Sequence, residues 1–310
     1  MVRALGVHES APPADTSTRF TGHRWGREFV AGPDGTPLPE STTDGELAAK
    51  VTARAGLHTR AGGGCVLSIK APMKAVAKGR WDDRLARAAA ALQGQDVIVV
   101  LWHEPEDDLT PQVFVPAHNR GRDVMRRAAP GLEVGYAGMA YQWRPGSPTT
   151  RAPLAWTTDL QADIYLADVY SGKTFPADAT LPEHPGFVRW HDEMIAAHSG
   201  RRWGIAERGI LAGPSRAATI AREAEWLATD PVGRSCQMYL WWNTGGTENQ
   251  PGWVLDPAGQ YAVGQLLHRL GGPLVSAGFR PGPLDGVLVS ERTGCLVAAD
   301  LTAAHAAAHR

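Results

Sequence analysis

The sequence predicts one (β/α)8 barrel, a TIM barrel, followed by a C-terminal extension. Three observations lead there. Short apolar runs alternate with longer amphipathic stretches from end to end. Repeated strand–helix–strand units imply a parallel sheet with helical crossovers, and eight parallel strands close most naturally on themselves. The periodic part, residues 1–272 of 310, matches the roughly 250 residues that one barrel requires. A doubly wound open sheet is the competing arrangement, but no glycine-rich phosphate loop follows any of the runs.

The eight strand candidates are Arg3–Val7, Trp25–Val30, Val66–Lys70, Val97–Trp102, Leu132–Tyr136, Ile164–Val169, Trp203–Ala206 and Met238–Trp242. Between them lie helix candidates. Thr43–Ala55 opens on Thr43-Asp44-Gly45-Glu46, a capping signal. Trp81–Leu92 carries Leu85, Ala89 and Leu92 at helical spacing. Asn119–Ala128, Phe187–His198, Ser215–Ala228 and Gln260–Leu270 follow. Ser10–Gly22 is turn-rich where a first full helix is expected. After Leu270 the pattern stops: Gly271-Gly272-Pro273 ends the last helix, and Pro281-Gly282-Pro283 marks another turn. Residues 273–310 are read as an extension outside the barrel, contributing no catalytic group and able to serve as an attachment element in a larger assembly. His305 and His309, at i, i+4 in the Ala-rich tail, have metal-ligand spacing, but a frayed terminal helix is the simpler reading.

Composition removes several partners. Lys and Arg number 31 against 32 Asp and Glu, so no basic field exists to attract nucleic acid or an anionic membrane. No apolar run is long enough to span a bilayer, which takes about 18 residues. Eleven tryptophans outnumber six tyrosines and six phenylalanines. A flat indole suits the apolar face of a pyranose, although at least half of these tryptophans are expected to be core. Cys65, Cys236 and Cys295 have no metal-ligand spacing; the first two open apolar runs and read as small core residues. The opening, Met1–His8, lacks a secretory apolar segment. The protein is therefore expected in the cytoplasm at synthesis. That expectation suits a phage or prophage product, released by lysis or injection and associated with a virion.

In a (β/α)8 barrel the chemistry sits at the C-terminal strand ends. Strand one ends in His8-Glu9, strand three in Lys70, and strand four in Trp102-His103-Glu104-Pro105-Glu106. Strand six ends in Asp168-Val169-Tyr170, strand seven in Glu207-Arg208, and strand eight in Trp241-Trp242-Asn243. Glu104 and Glu207 form the informative pair. Retaining glycoside hydrolysis needs two carboxyl groups about 5–5.5 Å apart, one as nucleophile and one as acid/base. Strand ends across a barrel mouth can supply that separation. The competing reading makes each glutamate a structural ion pair, with Arg208 or Arg151 as partner. Glu106 competes with Glu104 for the acid/base role. His8, Glu9 and Lys70 either line the pocket or cap the barrel with ion pairs. Thr244–Thr247 reads as a turn near the cleft.

Leu101-Trp102-His103-Glu104, followed much later by Ile205-Ala206-Glu207, resembles the family 26 glycoside hydrolases, clan A enzymes best known as β-mannanases. The resemblance spans roughly Val2 to Leu270. It implies Glu104 as acid/base and Glu207 as nucleophile, with no cofactor and no metal. Asp168-Val169-Tyr170 is similar to the family's Asp-x-Tyr, whose tyrosine hydrogen-bonds the nucleophile. Trp241 or Trp242 would floor the sugar subsite, with His103, Arg208 and Asn243 as further substrate contacts. Two features depart from the family pattern. Pro105-Glu106-Asp107-Asp108 stands where Met-Asn-Gly usually follows, and Val100 or a neighbour replaces an arginine.

The reading is thus a retaining, endo-acting glycosidase on a polysaccharide. Its rival is a barrel that binds glycan without cutting it, for example a phage tail component. A metal-dependent hydrolase using His8 and His103 is a third class, but Val7-His8-Glu9 lacks the His-x-His such enzymes generally show on strand one. On the first reading, Glu104 sits in the more apolar setting near Trp102 and keeps its proton. Glu207 stays ionised, held by Tyr170 and by His103 or Arg208.

Overall fold

A computed structural model describes residues 4–8, 25–60, 62–146, 153–172, 174–243 and 253–270, together with 279–281, 287–290 and 296–298. Eight parallel strands close into a barrel. They are β1 (Ala4–His8), β2 (Trp25–Val30), β3 (Gly64–Ile69), β4 (Val97–Leu101), β5 (Glu133–Met139), β6 (Ile164–Ser171), β7 (Arg202–Ile210) and β8 (Met238–Trp242). The ring shuts where β1 pairs β8 from Ala4↔Met238 to His8↔Trp242 and meets β2 at Gly6↔Trp25.

Helices cover the outside. Asp44–Thr59 opens with the expected capping box between Thr43 and Glu46. Asp82–Ala91, Pro111–Ala128, Pro185–Ala197 and Arg216–Thr229 occupy later crossovers, and Pro257–Arg269 follows β8. After β5 the chain makes only short turns of helix, Ala140–Trp143 and Pro153–Thr157. The Ser10–Gly22 segment lies outside the described residues. No described helix is long and apolar enough to cross a membrane.

Strand side chains divide by period two. Trp25, Val66, Ile98, Val100, Ala137, Ile164, Leu166, Ala206, Met238 and Leu240 form one buried cluster, the barrel interior. Their neighbours in sequence, such as Leu67, Val99, Tyr165 and Tyr239, join a second cluster between strands and helices. Both faces of β3 and β4 are thus dry, which explains unbroken runs such as Val97–Leu101. Nine of the eleven tryptophans are buried, leaving Trp226 and Trp242 partly open. Core packing, not sugar stacking, accounts for the tryptophan surplus. Cys65 and Cys236 are buried free thiols in the core, as expected; Cys295 lies outside the described residues.

Beyond the barrel, Phe279–Pro281, Val287–Ser290 and Leu296–Ala298 form a three-stranded antiparallel sheet. The sequence suggests no element there, because three- and four-residue strands are too short to show a period. His305 and His309 lie outside the described residues.

One buried ion pair fastens the outer layer. Arg208 is fully buried on the helix side of β7 and grips Glu223 of Arg216–Thr229 at 2.9 Å. Tyr239 donates to Glu223 at 2.5 Å and the Leu181 amide at 2.7 Å, while Arg208 also reaches Ser171 Oγ at 3.0 Å. The network ties β6, β7 and β8 to one helix. Breaking a buried pair from one side strands a charge and costs about 3–5 kcal/mol. Glu223→Ala should therefore lower unfolding stability by that amount in urea denaturation. Glu40→Ala, which breaks the exposed pair with Arg80, should change it by less than about 0.5 kcal/mol. Equal effects would contradict this assignment.

Candidate active site

Sequence alternation carries β2, β3 and β6 inward in a regular way. Arg27 points into the lumen two residues after Trp25, and Phe29 lies one step nearer the mouth. Arg27 is fully buried. Its Nη1 donates to Ser68 Oγ of β3 at 2.7 Å and its Nε to Glu207 Oε1 at 3.2 Å. Its Nη2 meets His103 Nδ1 at 2.5 Å. Phe29 packs above the guanidinium at 4.8 Å, edge-on to His103 and to Trp242. On β6, Asp168 and Tyr170 both face inward. Tyr170 donates its hydroxyl proton to Glu207 Oε2, and its ring lies against Trp253 at 4.8 Å. That approach needs Gly209: a Cβ there would come within 2.5 Å of the Tyr170 ring.

The other two strands need special backbone. Between β6 and β7 the register shifts, pairing Ala167 with Ile205 but Asp168 with Glu207. Ala206 is the extra residue of a bulge. Strict alternation would send Glu207 outward after an inward Ala206; the bulge puts both inside and returns Arg208 to the outside. At the end of β4, Trp102 has φ 65° and Glu104 φ 47°, the left-handed region that few non-glycine residues occupy. The Trp102 amide still bonds Ile69 of β3, and the Glu104 amide bonds Ala137 of β5. The two turns tuck Trp102 into the outer core and present His103 and Glu104 to the mouth.

Three acids then surround one imidazole. His103 Nε2 stands 3.4 Å from Glu207 Oε1 and 3.6 Å from Glu104 Oε2, and Nδ1 stands 3.2 Å from Asp168 Oδ2. A guanidinium only donates, so Nδ1 accepts from Arg27 and the ring proton belongs on Nε2, toward the two glutamates. Glu104 keeps a quarter of its side chain open, whereas Glu207 is buried. Burial, then the Glu207 charge, holds the Glu104 carboxyl well above the usual range. Burial raises Glu207 too, but Arg27 and the Tyr170 hydroxyl oppose it. Asp168 is raised well above its usual range by burial and by both glutamates, and neither of its oxygens has a hydrogen bond among the described residues. A neutral acid suits that position, since a carboxylate would face an accepting nitrogen. His103, Asp168 and Glu207 could together reach one ion. Arg27, however, already places positive charge on Glu207 and His103, which disfavours a cation there.

The structure thus gathers His103, Glu104, Asp168, Tyr170, Glu207 and Trp242 at one mouth. It separates others. Arg208 is locked to Glu223 behind the wall, out of reach of a ligand, because the bulge restores alternation. Trp241 is fully buried in the outer core, so Trp242 is the indole at the mouth. Asn243 accepts the Leu255 amide at 2.6 Å and pins that loop. Lys70 pairs with Asp108 at 2.8 Å and lies 4.9 Å from the Trp102 ring, tying β3 to the segment after β4. His8 ends β1 opposite Trp242 in register, while Glu9, Arg151 and residues 244–247 lie outside the described residues. Arg27 escaped the sequence reading. Its signal was a charged residue at the inward period of a buried strand, Trp25-x-Arg27-x-Phe29.

No family model and no curated protein matches the sequence. Solved structures do match the fold. An endo-β-1,4-glucanase from Xanthomonas axonopodis pv. citri superimposes with TM-score 0.63 at 14% identity, over 87% of this chain and 99% of that one. The fold is that of the glycoside hydrolase barrels. A GH5_18 protein from Streptomyces cattleya, in complex with GlcNAc, gives 0.65 at 14% identity over 87% and 80%. The GH26 endo-β-1,4-mannanase of Bacillus sp. JAMB-750 gives 0.56 at 15% over 87% and 86%. At these identities the likeness is one of fold, shared alike by the glucanase, GH5_18 and GH26 structures.

Arg27 is the cation that lowers Glu207, so its removal should raise the Glu207 midpoint by about 1–3 pH units. Carboxyl-13C glutamate NMR on Arg27→Met, with Glu207→Gln for assignment, measures this. An unmoved midpoint would mean that Arg27 is only a structural strut.

Proposed function

We propose that the protein is a retaining, endo-acting glycoside hydrolase on a polysaccharide, with Glu207 as nucleophile and Glu104 as acid/base. One observation carries the reading: Glu104 and Glu207, from β4 and β7, approach the same His103 nitrogen in different electrostatic settings. Both oxygens lie within 3.6 Å of that atom, so they are no more than about 7 Å apart, a span that accommodates the roughly 5–5.5 Å of a retaining pair. The barrel neighbours named as endo-β-1,4-glucanase and endo-β-1,4-mannanase support the reaction class and the endo action.

Division of labour follows from the surroundings. Two carboxyls whose environments push them apart separate into acid and nucleophile. Glu207, bonded by Arg27 and Tyr170, is the first of the coupled pair to lose its proton. One of its oxygens attacks the anomeric carbon. The glycosidic oxygen leaves with the Glu104 proton, and a glycosyl ester forms on Glu207. Glu104, now a carboxylate, takes a proton from water as that water attacks the same carbon, releasing sugar and Glu207. Trp242 and Phe29 offer apolar surface beside the reacting ring. A panel of mannans, xylans, glucans and bacterial envelope polysaccharides, with Glu207→Ala as control, is the direct screen.

The mechanism separates the two variants. Glu207→Ala should be inactive on every substrate, since no covalent intermediate can form. Glu104→Ala should retain turnover of an aryl glycoside with a good leaving group, which needs no protonation. Added azide should rescue it by attacking the glycosyl ester. Activity in Glu207→Ala would refute the nucleophile assignment, and a purely binding protein would release no product from any member of the panel.

A further inference from the structure

The acidic run after His103 contains a glutamate that the reaction above does not use. Asp107 and Asp108 face solvent, but Glu106 is buried. It turns back over the C-terminal edge of β5, where Tyr136 donates its hydroxyl to Glu106 Oε1. Tyr136 belongs to the outer core and packs on Phe114 of Pro111–Ala128. Glu106 therefore lies on the helix side of the strand wall, while Glu104 lies on the lumen side. Gly138 makes the room, because a Cβ there would overlap both the Tyr136 hydroxyl and Glu106 Oε1. The second oxygen, Oε2, is buried without a hydrogen-bond partner among the described residues. No described basic side chain is paired with the carboxyl.

We propose that Glu106 is a positioning residue that keeps the proton on Glu104, acting through its charge from behind the β5 wall. The proposal rests on Glu104 being the acid/base, and it removes Glu106 as a competitor for that role, since its carboxyl faces Tyr136 instead of the mouth. Glu104 is faced by Arg27 of β2, His103 of its own strand end, Asp168 and Tyr170 of β6, Glu207 of β7, and Glu106 and Asp107 of the helix that follows. Around Glu106 stand Tyr136 of β5, Asp107, and the backbone amides of Glu106 and Met139. Asp168 of β6 feels its charge as well. Burial pushes the Glu106 carboxyl up to about 7, with the Tyr136 hydrogen bond opposing. Its charge is then present above neutral pH, where a raised acid/base would otherwise lose its proton. The sign follows: a negative neighbour raises the Glu104 midpoint, so neutralising that neighbour lowers it.

Carboxyl-13C glutamate NMR of the full chain tests this without a substrate, with Glu104→Gln assigning the Glu104 signal. In Glu106→Gln the Glu104 midpoint should fall by roughly 0.5–1 pH unit, with the folded spectrum retained. Tyr136→Phe removes the bond that stabilises the Glu106 charge. It should raise the Glu106 midpoint and lower that of Glu104, and the double variant should add nothing further. Asp107→Asn, at an exposed site, should shift Glu104 less. On whichever glycan the panel identifies, the alkaline limb of kcat/KM should move down with the Glu104 midpoint. A Glu104 midpoint unmoved in folded Glu106→Gln overturns the proposal. If Glu106→Gln fails to fold, an unmoved midpoint in folded Tyr136→Phe overturns it equally. A midpoint that moves in a protein whose turnover ignores Glu104 would leave the coupling standing and refute the acid/base reading instead.

Discussion

The site depends on one guanidinium. Arg27 is buried against Glu207 and His103, and its charge also acts on Glu104 and Asp168. Bringing an ion into a dry barrel costs several kcal/mol, even after the surroundings relax. A contact near 4 Å returns roughly 4 kcal/mol at the effective dielectric of a protein. One guanidinium can therefore offset one carboxylate, not three. That charge falls on Glu207, which Arg27 touches and Tyr170 supports. Glu104 and Asp168 are left to hold protons, in keeping with the direction in which both are displaced. The division into acid and base is thus a consequence of counting charges in a closed space. Ser68 below and Phe29 above hold Arg27 in place, so residues that touch no reacting atom fix the count.

Aiming the carboxyls is a backbone problem. A barrel strand offers one inward residue in two, and His103 just after β4 and Glu207 on β7 do not fall on that beat. Ala206 solves it on β7 by doubling the inward step. Trp102 and Glu104 solve it on β4 by adopting left-handed backbone on either side of His103. Each such residue costs of order 1–3 kcal/mol and persists only where the surroundings over-determine it. Here they do: Trp102 is sunk in the core, and both amides stay bonded to neighbouring strands. On β6 no device is needed, and Asp168 and Tyr170 arrive by simple alternation.

These distinctions explain what could be read beforehand. The barrel was legible because period-two and period-3.6 patterns are local, and most strand ends fell within a few residues of those expected. The convergence of His103, Glu104, Asp168, Tyr170 and Glu207 was legible because the fold itself places strand ends at one mouth. Facing was not. Arg208 follows Glu207 directly and invites pairing with it, yet a strand sends neighbours to opposite walls. Trp241 and Trp242 pose the same choice, settled only by the register of β8. Arg27 was hidden because a mid-strand cation looks like a surface residue until the strand is known to be dry on both faces. The sheet after the barrel was hidden for the opposite reason, its strands being shorter than any period.

Glu207 and Arg208 show how the two demands are kept apart. Both are buried, and each has a counterion on another element: Arg27 inside the barrel, Glu223 outside. The outer pair is fully bonded, with donors from Arg208, Tyr239 and the Leu181 amide filling Glu223. It holds β7 still without competing for the lumen. The inner pair is less fully bonded, with one donor from Arg27 and one from Tyr170, which suits the nucleophile role proposed for Glu207. Were the bulge at Ala206 absent, alternation would turn Glu207 toward the Glu223 carboxylate and Arg208 into the lumen, and both ion pairs would be lost. A structural ion pair and the proposed nucleophile therefore share one strand, by being placed on opposite sides of it.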